Sequence, residues 1–269
     1  EVLRRGGLVA FPTETVYGLG ADATNAEAVA RLFAAKDRPR FDPVIVHLAA
    51  PEDLEPLVTA IPPVARTLIE RFWPGPLTLV LPKTESVPDI VTAGRPTVAV
   101  RMPDHALALS LIAAAGRPIA APSANRFGRL SPTRAEHVAE QLGDRVELIL
   151  DDGPCQVGIE STVLDLAGPG PRLLRPGATT LEALNEIIGP VDVHPGTAQD
   201  EPLASPGMLP RHYAPRTPLE LVDDVDRLPP GRLGLLTLTA ARDSDRFELV
   251  EVLAADGDPR VTQNDLDLL

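Results

Sequence analysis

"GLVAFPTETVYGLG", residues Gly7–Gly20, decides how this 269-residue chain is read. Gly7–Phe11 is a short apolar run of the kind that forms a buried strand. Directly after it come three hydroxyls (Thr13, Thr15, Tyr17), one carboxylate (Glu14) and two glycines (Gly18, Gly20). A plain turn needs only two or three such residues. A longer polar, backbone-rich segment at the point where a strand stops is built to touch something. In open α/β sheets, ligands sit at strand ends.

Outward from this stretch, short apolar runs alternate with helical patterns. Strands are predicted over "PVIVHL", "PLTLVL", "TVAVRM", "PIAAPSAN", "VELILDDG", "STVLDL" and "PRLLRPG". Helices are predicted over "TNAEAVARLFAAK", with Val29, Leu32 and Phe33 inward, and over "PVARTLIERFW", "HALALSLIAAAG", "SPTRAEHVAEQLG" and "TTLEALNEIIG". The pairs Thr24/Glu27, Thr133/Glu136 and Thr179/Glu182 read as capping boxes, and Pro74-Gly75 and Gly116 read as helix stops. Some strands are adjacent, so the fold class is α/β, with a twisted mixed sheet flanked by helices. From Val191 the periodicity ends, and residues 191–218 carry six prolines. A loop of that length is a linker or is functional. Beyond it, "LELVDD", "RLGLLTLTA" and "FELVEVLAA" read as strands of a second, smaller unit. The organisation is therefore a first domain over 1–190, a linker over 191–217 and a C-terminal domain over 218–269. Because the chain opens on Glu1 and closes abruptly in "VTQNDLDLL", we expect sequence to be missing at the front and the second domain to be incomplete.

Bulk properties narrow the function classes. A net charge of −13 disfavours a general nucleic-acid binder, although a local Arg/Lys cluster can still hold a small anion. Hydrophobic residues at 44% suffice for a core, and the 30 prolines, about twice the usual share, punctuate apolar runs rather than mark disorder. A single cysteine, Cys155, rules out an internal disulfide and a Cys-cluster zinc site. No run of 18 apolar residues and no signal peptide is present, so the expected location is the cytoplasm, away from membranes. There is no G-x-x-x-x-G-K-[ST] loop, no H-E-x-x-H and no G-x-S-x-G. "GLGADA" is only a weak near-match to a dinucleotide fingerprint. The histidines have no metal spacing, so no protein-held metal is expected.

What remains is a set of cations and hydroxyls. "AKDRPRFDP" concentrates Lys36, Arg38 and Arg40 after a helix. They could serve the helix dipole, yet Pro39 and Pro43 stiffen them as a polyphosphate site requires. Arg101 and Arg175 end strands, Ser123 and Ser131 sit in Pro-bounded loops, and Glu160, Ser161 and Thr162 open a strand together. Each alone has a bland reading as surface, turn or cap, as do His47 in its strand and Tyr213 in the linker. Jointly they gather where strands end, which points to a small anionic ligand bound without a P-loop.

The ordered set "FPTETVYGLGADA", "AKDRPRFDPVIVHL", "TVAVRMP", "IAAPSANRFGRLSPT", "GIESTVLDL" and "LLRPGA" resembles the YrdC-like family of threonylcarbamoyl-adenylate synthases. "SPGMLPRHYAP" is similar to the linker of its two-domain, Sua-type members. The match runs from about Gly6 to Pro215. The resemblance implies a YrdC-like catalytic domain and a smaller Rossmann-like α/β C-terminal domain. It implies an enzyme that makes threonylcarbamoyl-AMP and pyrophosphate from L-threonine, bicarbonate and ATP, with Mg2+ accompanying ATP, and that passes the product to a downstream tRNA threonylcarbamoyl-transferase. Carried over motif by motif, threonine would meet Thr15, His47, Arg101, the backbone at Ala121, and Ser161. ATP would meet Lys36, Arg38, Asp42, Thr97, Ser123, Ser131, Arg175 and Tyr213, with Lys36 and Arg38 as the catalytic cations.

The chain departs from the family's K-G-R-P-x-x-N-P pattern at Asp37 and Asp42. A carboxylate at 42 would repel a triphosphate unless magnesium or Arg38 intervenes. Leu209-Pro210 replace the usual Lys-Tyr between Met208 and Arg211, although Arg211, His212 and Tyr213 remain. The aromatic and cationic "RHYAP" leads us to expect an ordered lid. Two alternatives stand beside the synthase: a YrdC-like RNA-binding module without adenylation, and a carbamoyl-adenylate enzyme that uses carbamoyl phosphate.

Overall fold

The computed structural model describes residues 1–194, 220–222, 224, 228, 231–237 and 246–252. The chain forms two compact units, Glu1–Tyr213 and Ala214–Leu269. In the first, the elements run β1 (Val9–Phe11), β2 (Gly18–Asp22), α1 (Ala26–Lys36), β3 (Ile45–His47), α2 (Pro63–Phe72), β4 (Leu77–Pro82), α3 (Asp89–Thr92), β5 (Thr97–Arg101), α4 (Ala106–Ala115) and β6 (Ile119–Ala120). They continue with α5 (Ala135–Leu142), β7 (Leu148–Ile149), β8 (Thr162–Asp165), β9 (Arg172–Arg175), α6 (Leu181–Ile188) and β10 (Asp192–Val193). All ten strands join one mixed sheet in the order β10-β9-β8-β4-β5-β3-β6-β2-β1-β7.

Alternation along the central strands gives this sheet two different faces. Leu77, Leu79 and Leu81 of β4, Val98 and Val100 of β5, and Val46 of β3 enter the main core. There they join Val29, Leu32 and Phe33 of α1, Leu68 of α2, Val138 of α5 and Leu184 of α6. The opposite face is covered in part. Ala108 and Ile112 of α4 pack there with Val9, Phe11, Ile119 and Ala121. Beside that patch lies a shallow apolar floor of Ile45, Val80, Ala99, Val163 and Leu174. Register keeps the functional residues on this second face: Ile45 pairs with Ala99 and His47 with Arg101.

The predicted elements form, with three corrections at helix starts. α1 is capped by Asn25, whose side chain accepts from the Glu27 and Ala28 amides at 3.0 and 3.2 Å. Thr24 is diverted, since its hydroxyl donates to Asp22 at 2.7 Å. α6 is capped by Thr180, not Thr179, whose carbonyl is held by the Thr162 hydroxyl at 2.6 Å. The N-cap of α5 is Arg134, and Thr133 instead accepts the Cys155 amide at 2.9 Å. Gly116 ends α4 in the left-handed region, φ 65, with its amide bonded back to Ile112 and Ala113. β2, α3 and β10 lie in stretches where no element is read from the sequence. "GLGAD" is too glycine-rich to show alternation, and α3 spans only four residues.

In the second unit, β11 (Gly234–Thr237) and β12 (Leu249–Val252) pair in parallel, in agreement with two of the expected strands. Of the third expected strand, the described residues Glu220, Leu221 and Val222 are irregular. The expected lid and Tyr213 lie outside the described residues.

Candidate active site

The loop from Pro12 to Tyr17 joins the antiparallel pair β1–β2 and is organised by Thr13. Its hydroxyl donates to the Val16 carbonyl at 2.7 Å and accepts the Thr15 and Val16 amides at 3.2 Å each. With its proton spent, Thr13 can only accept in its 2.9 Å contact with the Thr15 hydroxyl. Thr15 therefore donates to Thr13 and accepts from Arg101 Nη2 at 3.1 Å, which leaves one acceptor lone pair on its hydroxyl. Both threonines line an open cleft over the partly covered face. Tyr17 is structural, its buried hydroxyl donating to the Gly153 carbonyl at 2.7 Å, and burial pushes the phenol well above its ordinary range. The two glycines divide the work. Gly18 lines the cleft. At Gly20 a Cβ would stand 2.8 Å from the Phe11 ring and 2.9 Å from Ile119, so this glycine serves packing, not ligand approach.

In this lining Arg101 is fixed along one edge of its guanidinium. Nε donates to the Gly75 carbonyl at 3.2 Å, and Nη2 lies 2.7 Å from Glu14, whose carboxylate is as buried as the arginine. That contact is an ion pair without the direction of a hydrogen bond. Nη1 bonds to none of the described residues. Beside Arg101 stands His47, edge-on to Phe11 with ring centroids 6.4 Å apart. Burial first, and then the Arg101 charge, push its pKa down to about 3, so the ring is neutral at physiological pH.

The lining also holds Arg38, Ser123, Glu160 and Arg175. Arg38 makes an ion pair with Asp42 at 2.8 Å, with side-chain exposures of 3% and 0%. The repulsion expected of a carboxylate at 42 is thus absorbed by Arg38 from behind the lining. Burial pushes the Asp42 carboxyl up, while Arg38, Lys36 and Arg175 pull it back. Arg175 donates through Nε and Nη2 to the Ser161 carbonyl at 3.0 and 2.9 Å, and through Nη2 to the Ser161 hydroxyl at 3.1 Å. That hydroxyl also contacts the Thr78 hydroxyl at 2.8 Å. The β9 turn presses close here: a Cβ on Gly177 would meet the Glu160 carbonyl oxygen at 2.4 Å and the Thr162 nitrogen at 2.5 Å.

Of the residues expected at the site, the structure brings Thr15, Arg38, His47, Arg101, Ala121, Ser123 and Arg175 to one lining. Ser161 and Asp42 stand one layer behind it. Lys36 is also behind: it is 1% exposed, and its ammonium is spent on the Ser123 and Asn125 carbonyls, so it braces the loop that presents Ser123. Burial, and then Arg38, lower its pKa well below the ordinary lysine value. Ser131 donates to Glu160 at 2.7 Å. Thr97 shares a face with Ala99 and Arg101 but starts β5, about 13 Å along the strand from Arg101, and is not in the lining. Asp37, the other departure, ends α1 in the left-handed region at φ 54. Arg126 and Arg145 hold it there, at 2.6 and 2.9 Å.

Sequence reasoning missed Thr78 and gave Thr13, Glu14 and Glu160 no individual role. Thr78 carries a signal, being a lone hydroxyl inside the apolar run Leu77–Leu81. The ion pair of Glu14 with a residue 87 positions away has none.

Two family models match the chain. One, described as telomere recombination and covering the Sua5, YciO and YrdC proteins, spans residues 1–177, and one described as the C-terminal domain of threonylcarbamoyl-AMP synthase spans 179–261. Curated relatives named threonylcarbamoyl-AMP synthase include those of Pyrococcus abyssi, 54% identical over 224 residues, and Bacillus subtilis, 53% identical over 224 residues. Each alignment covers 82% of this chain, and the chain spans 66% and 65% of the length of these two relatives. A crystal structure of P. abyssi Sua5 complexed with L-threonine superposes with a TM-score of 0.86 at 41% identity, covering 98% of this chain and 81% of that one. E. coli YciO shares the fold of the first unit, with a TM-score of 0.59 at 24% identity over 68% of this chain.

Proposed function

The chain belongs to the Sua5/YciO/YrdC family, and from that premise we propose that it is an L-threonylcarbamoyladenylate synthase. It joins L-threonine, bicarbonate and ATP into threonylcarbamoyl-AMP and pyrophosphate, in the cytoplasm. The product goes to a separate enzyme that modifies a tRNA adenosine. One observation carries this reading: a single cleft is lined by an arginine with an uncommitted Nη1, a neutral histidine, two further arginines and a serine.

The geometry supports a division of labour. Arg101 Nη1 receives the threonine carboxylate, a charge-assisted and directional contact. The remaining lone pair of Thr15 accepts from the threonine amine. Neutral His47 puts no second positive charge beside that amine. The amine takes up the carbon dioxide unit of bicarbonate with loss of water, giving a carbamate. A carbamate oxygen then attacks the α-phosphorus of ATP, the bond to the β-phosphate oxygen breaks, and pyrophosphate leaves. Arg38 and Arg175, fixed by buried partners before the reaction begins, face the charge that develops on the phosphates. Lys36 supports this through the Ser123 loop. Holding the reactants in line supplies the remainder of the rate gain.

Among the described residues, no three His, Cys, Asp or Glu side chains group to cage a metal. Mg2+ would arrive on ATP, where it would neutralise phosphate charge.

The test is pyrophosphate release by the full chain. Release that requires threonine and bicarbonate together is the expected result. Release indifferent to threonine, or supported equally by carbamoyl phosphate, would overturn the assignment.

A further inference from the structure

Asp37 stands where the K-G-R-P-x-x-N-P pattern has glycine, and physical grounds favour glycine there too. The Arg38 amide returns to the Phe33 carbonyl at 3.0 Å and the Asp37 amide to the Ala34 carbonyl at 3.2 Å. α1 thus ends in a Schellman turn with Asp37 as its left-handed residue. A side chain at φ 54 is strained relative to glycine. A carboxylate at a helix C-terminus also opposes the helix dipole. Two arginines from other segments offset these costs. Arg126 donates through Nε and Nη2 to Asp37 Oδ2 at 3.1 and 2.6 Å, and Arg145 donates through Nη1 to the same oxygen at 2.9 Å. Arg126 first, and then Arg145, hold the Asp37 carboxyl below its ordinary range.

The partners matter because of where they sit. Arg126 belongs to the loop that presents Ser123, and beside it the Phe127 amide donates to the Lys36 carbonyl at 2.8 Å. Arg145 ends the turn Gly143–Arg145 after α5, and its Nη1 also donates to the Ala35 carbonyl at 3.1 Å. One carboxylate therefore ties the end of α1 to the Ser123 loop and to that turn. From Asp37 the chain runs directly into Arg38, which lines the cleft together with Ser123. An isolated exposed ion pair contributes little, but here three N–H groups from two arginines converge on one oxygen. We propose that Asp37 is a positioning residue: through Arg126 it holds the Ser123 loop in place against Arg38, and so shapes the part of the cleft that takes ATP. The carboxylate is half-exposed, so salt reaches this clamp. The inference rests on the adenylation reading above.

The experiment compares wild type, Asp37→Gly, Arg126→Gln and the double variant, all as the full chain. Pyrophosphate release is measured at varied ATP and at varied threonine, beside thermal melts and amide hydrogen exchange over residues 123–131. Glycine suits the left-handed position, so Asp37→Gly keeps the end of α1 while losing the clamp. Its ATP KM should rise about fivefold, its threonine KM should stay unchanged, and exchange in the Ser123 loop should quicken. Arg126→Gln should raise the ATP KM as well, and the double variant should rise no further than Asp37→Gly alone. As salt is raised, the wild-type ATP KM should approach that of Asp37→Gly. An unchanged ATP KM overturns the proposal, and a lowered melting temperature beside it marks a merely structural role. Effects that multiply in the double variant also overturn it, as does an equal rise in the threonine KM, which marks a general loosening. A wild type that releases no pyrophosphate with threonine and bicarbonate refutes the adenylation reading itself. Hydrogen exchange then judges the clamp separately, and unchanged exchange in Asp37→Gly refutes it.

Discussion

Replacing Arg101 by alanine does two things at once, and the structure allows them to be separated. The first effect falls on stability. Glu14 loses its 2.7 Å partner in a place where the side-chain exposures are 4% and 6%. Stranding a buried charge in this way costs about 3–5 kcal/mol. The second effect falls on the substrate. The Nη1 donors to the threonine carboxylate are lost, and charge-assisted bonds contribute about 1.5–3 kcal/mol. That corresponds to a rise of about 10- to 150-fold in the threonine KM. The double variant Glu14→Gln with Arg101→Ala removes the stranded charge as well as the donor. Its melting temperature should recover most of the way to wild type, while its threonine KM should stay as high as that of Arg101→Ala. The assay is pyrophosphate release against threonine at saturating ATP, beside thermal melts of the three proteins. A double variant that melts normally and also binds threonine normally would refute the role given to Arg101.

Two further predictions concern the frame of the site. Gly177→Ala drives a methyl into backbone atoms of Glu160, Ser161 and Thr162, the nearest at 2.4 Å, none of which is a movable side-chain end. Activity should fall at least tenfold with a lower melting temperature, and an active, fully stable variant would show that the turn does not hold Arg175 and Ser161 in place. His47 titrates at about 3 when folded against an ordinary 6.5. The unfolded chain thus binds a proton that the folded chain refuses between those values. Its contribution is complete above pH 6.5 and is lost as pH falls from 6.5 toward 3, at about 1.4 kcal/mol per unit. His47→Gln should therefore show a shallower loss of denaturant midpoint over that window, and identical slopes in the two proteins would contradict a neutral buried histidine.

The fold was legible wherever an element owes its existence to a local pattern. The inward stripe Val29, Leu32 and Phe33 exists before any tertiary contact is known, and it forms α1. The misplaced caps have the opposite cause. Thr24 and Thr133 carry suitable chemistry, but Asp22 claims the Thr24 hydroxyl and the N-cap of α5 falls one residue later, at Arg134. Such competition is decided in three dimensions. β2 was hidden because two of its five residues are glycines, and Gly20 is small only so that Phe11 and Ile119 can cross it. The site followed the same rule. Arginines at strand ends were legible only jointly, since Arg101 and Arg175 each read alone as surface and point to a site when hydroxyls and other cations gather with them. The acids behind them were not, because Glu14 reads as one more polar residue of a loop until β5 brings Arg101 beside it.

Those hidden acids change what kind of anion site this is. A bare trio of arginines in a protein of net charge −13 would be filled by any small anion at hand. Pairing Arg101 with Glu14 and Arg38 with Asp42 cancels most of the monopole, while the Gly75, Asp42 and Pro43 backbone carbonyls take up part of the donors. What remains is direction: N–H groups whose positions are fixed and whose net field is weak. A ligand must then match the geometry to be bound, since charge alone gains little. The arrangement also lowers the cost of holding several cations close together, because each arrives with its counter-charge already folded in. Lys36 fits the same logic from another side. With its ammonium committed to the Ser123 and Asn125 carbonyls, it adds stiffness to the loop and stands outside the lining itself. Specificity here comes from withholding electrostatic attraction until a substrate of the right shape completes it.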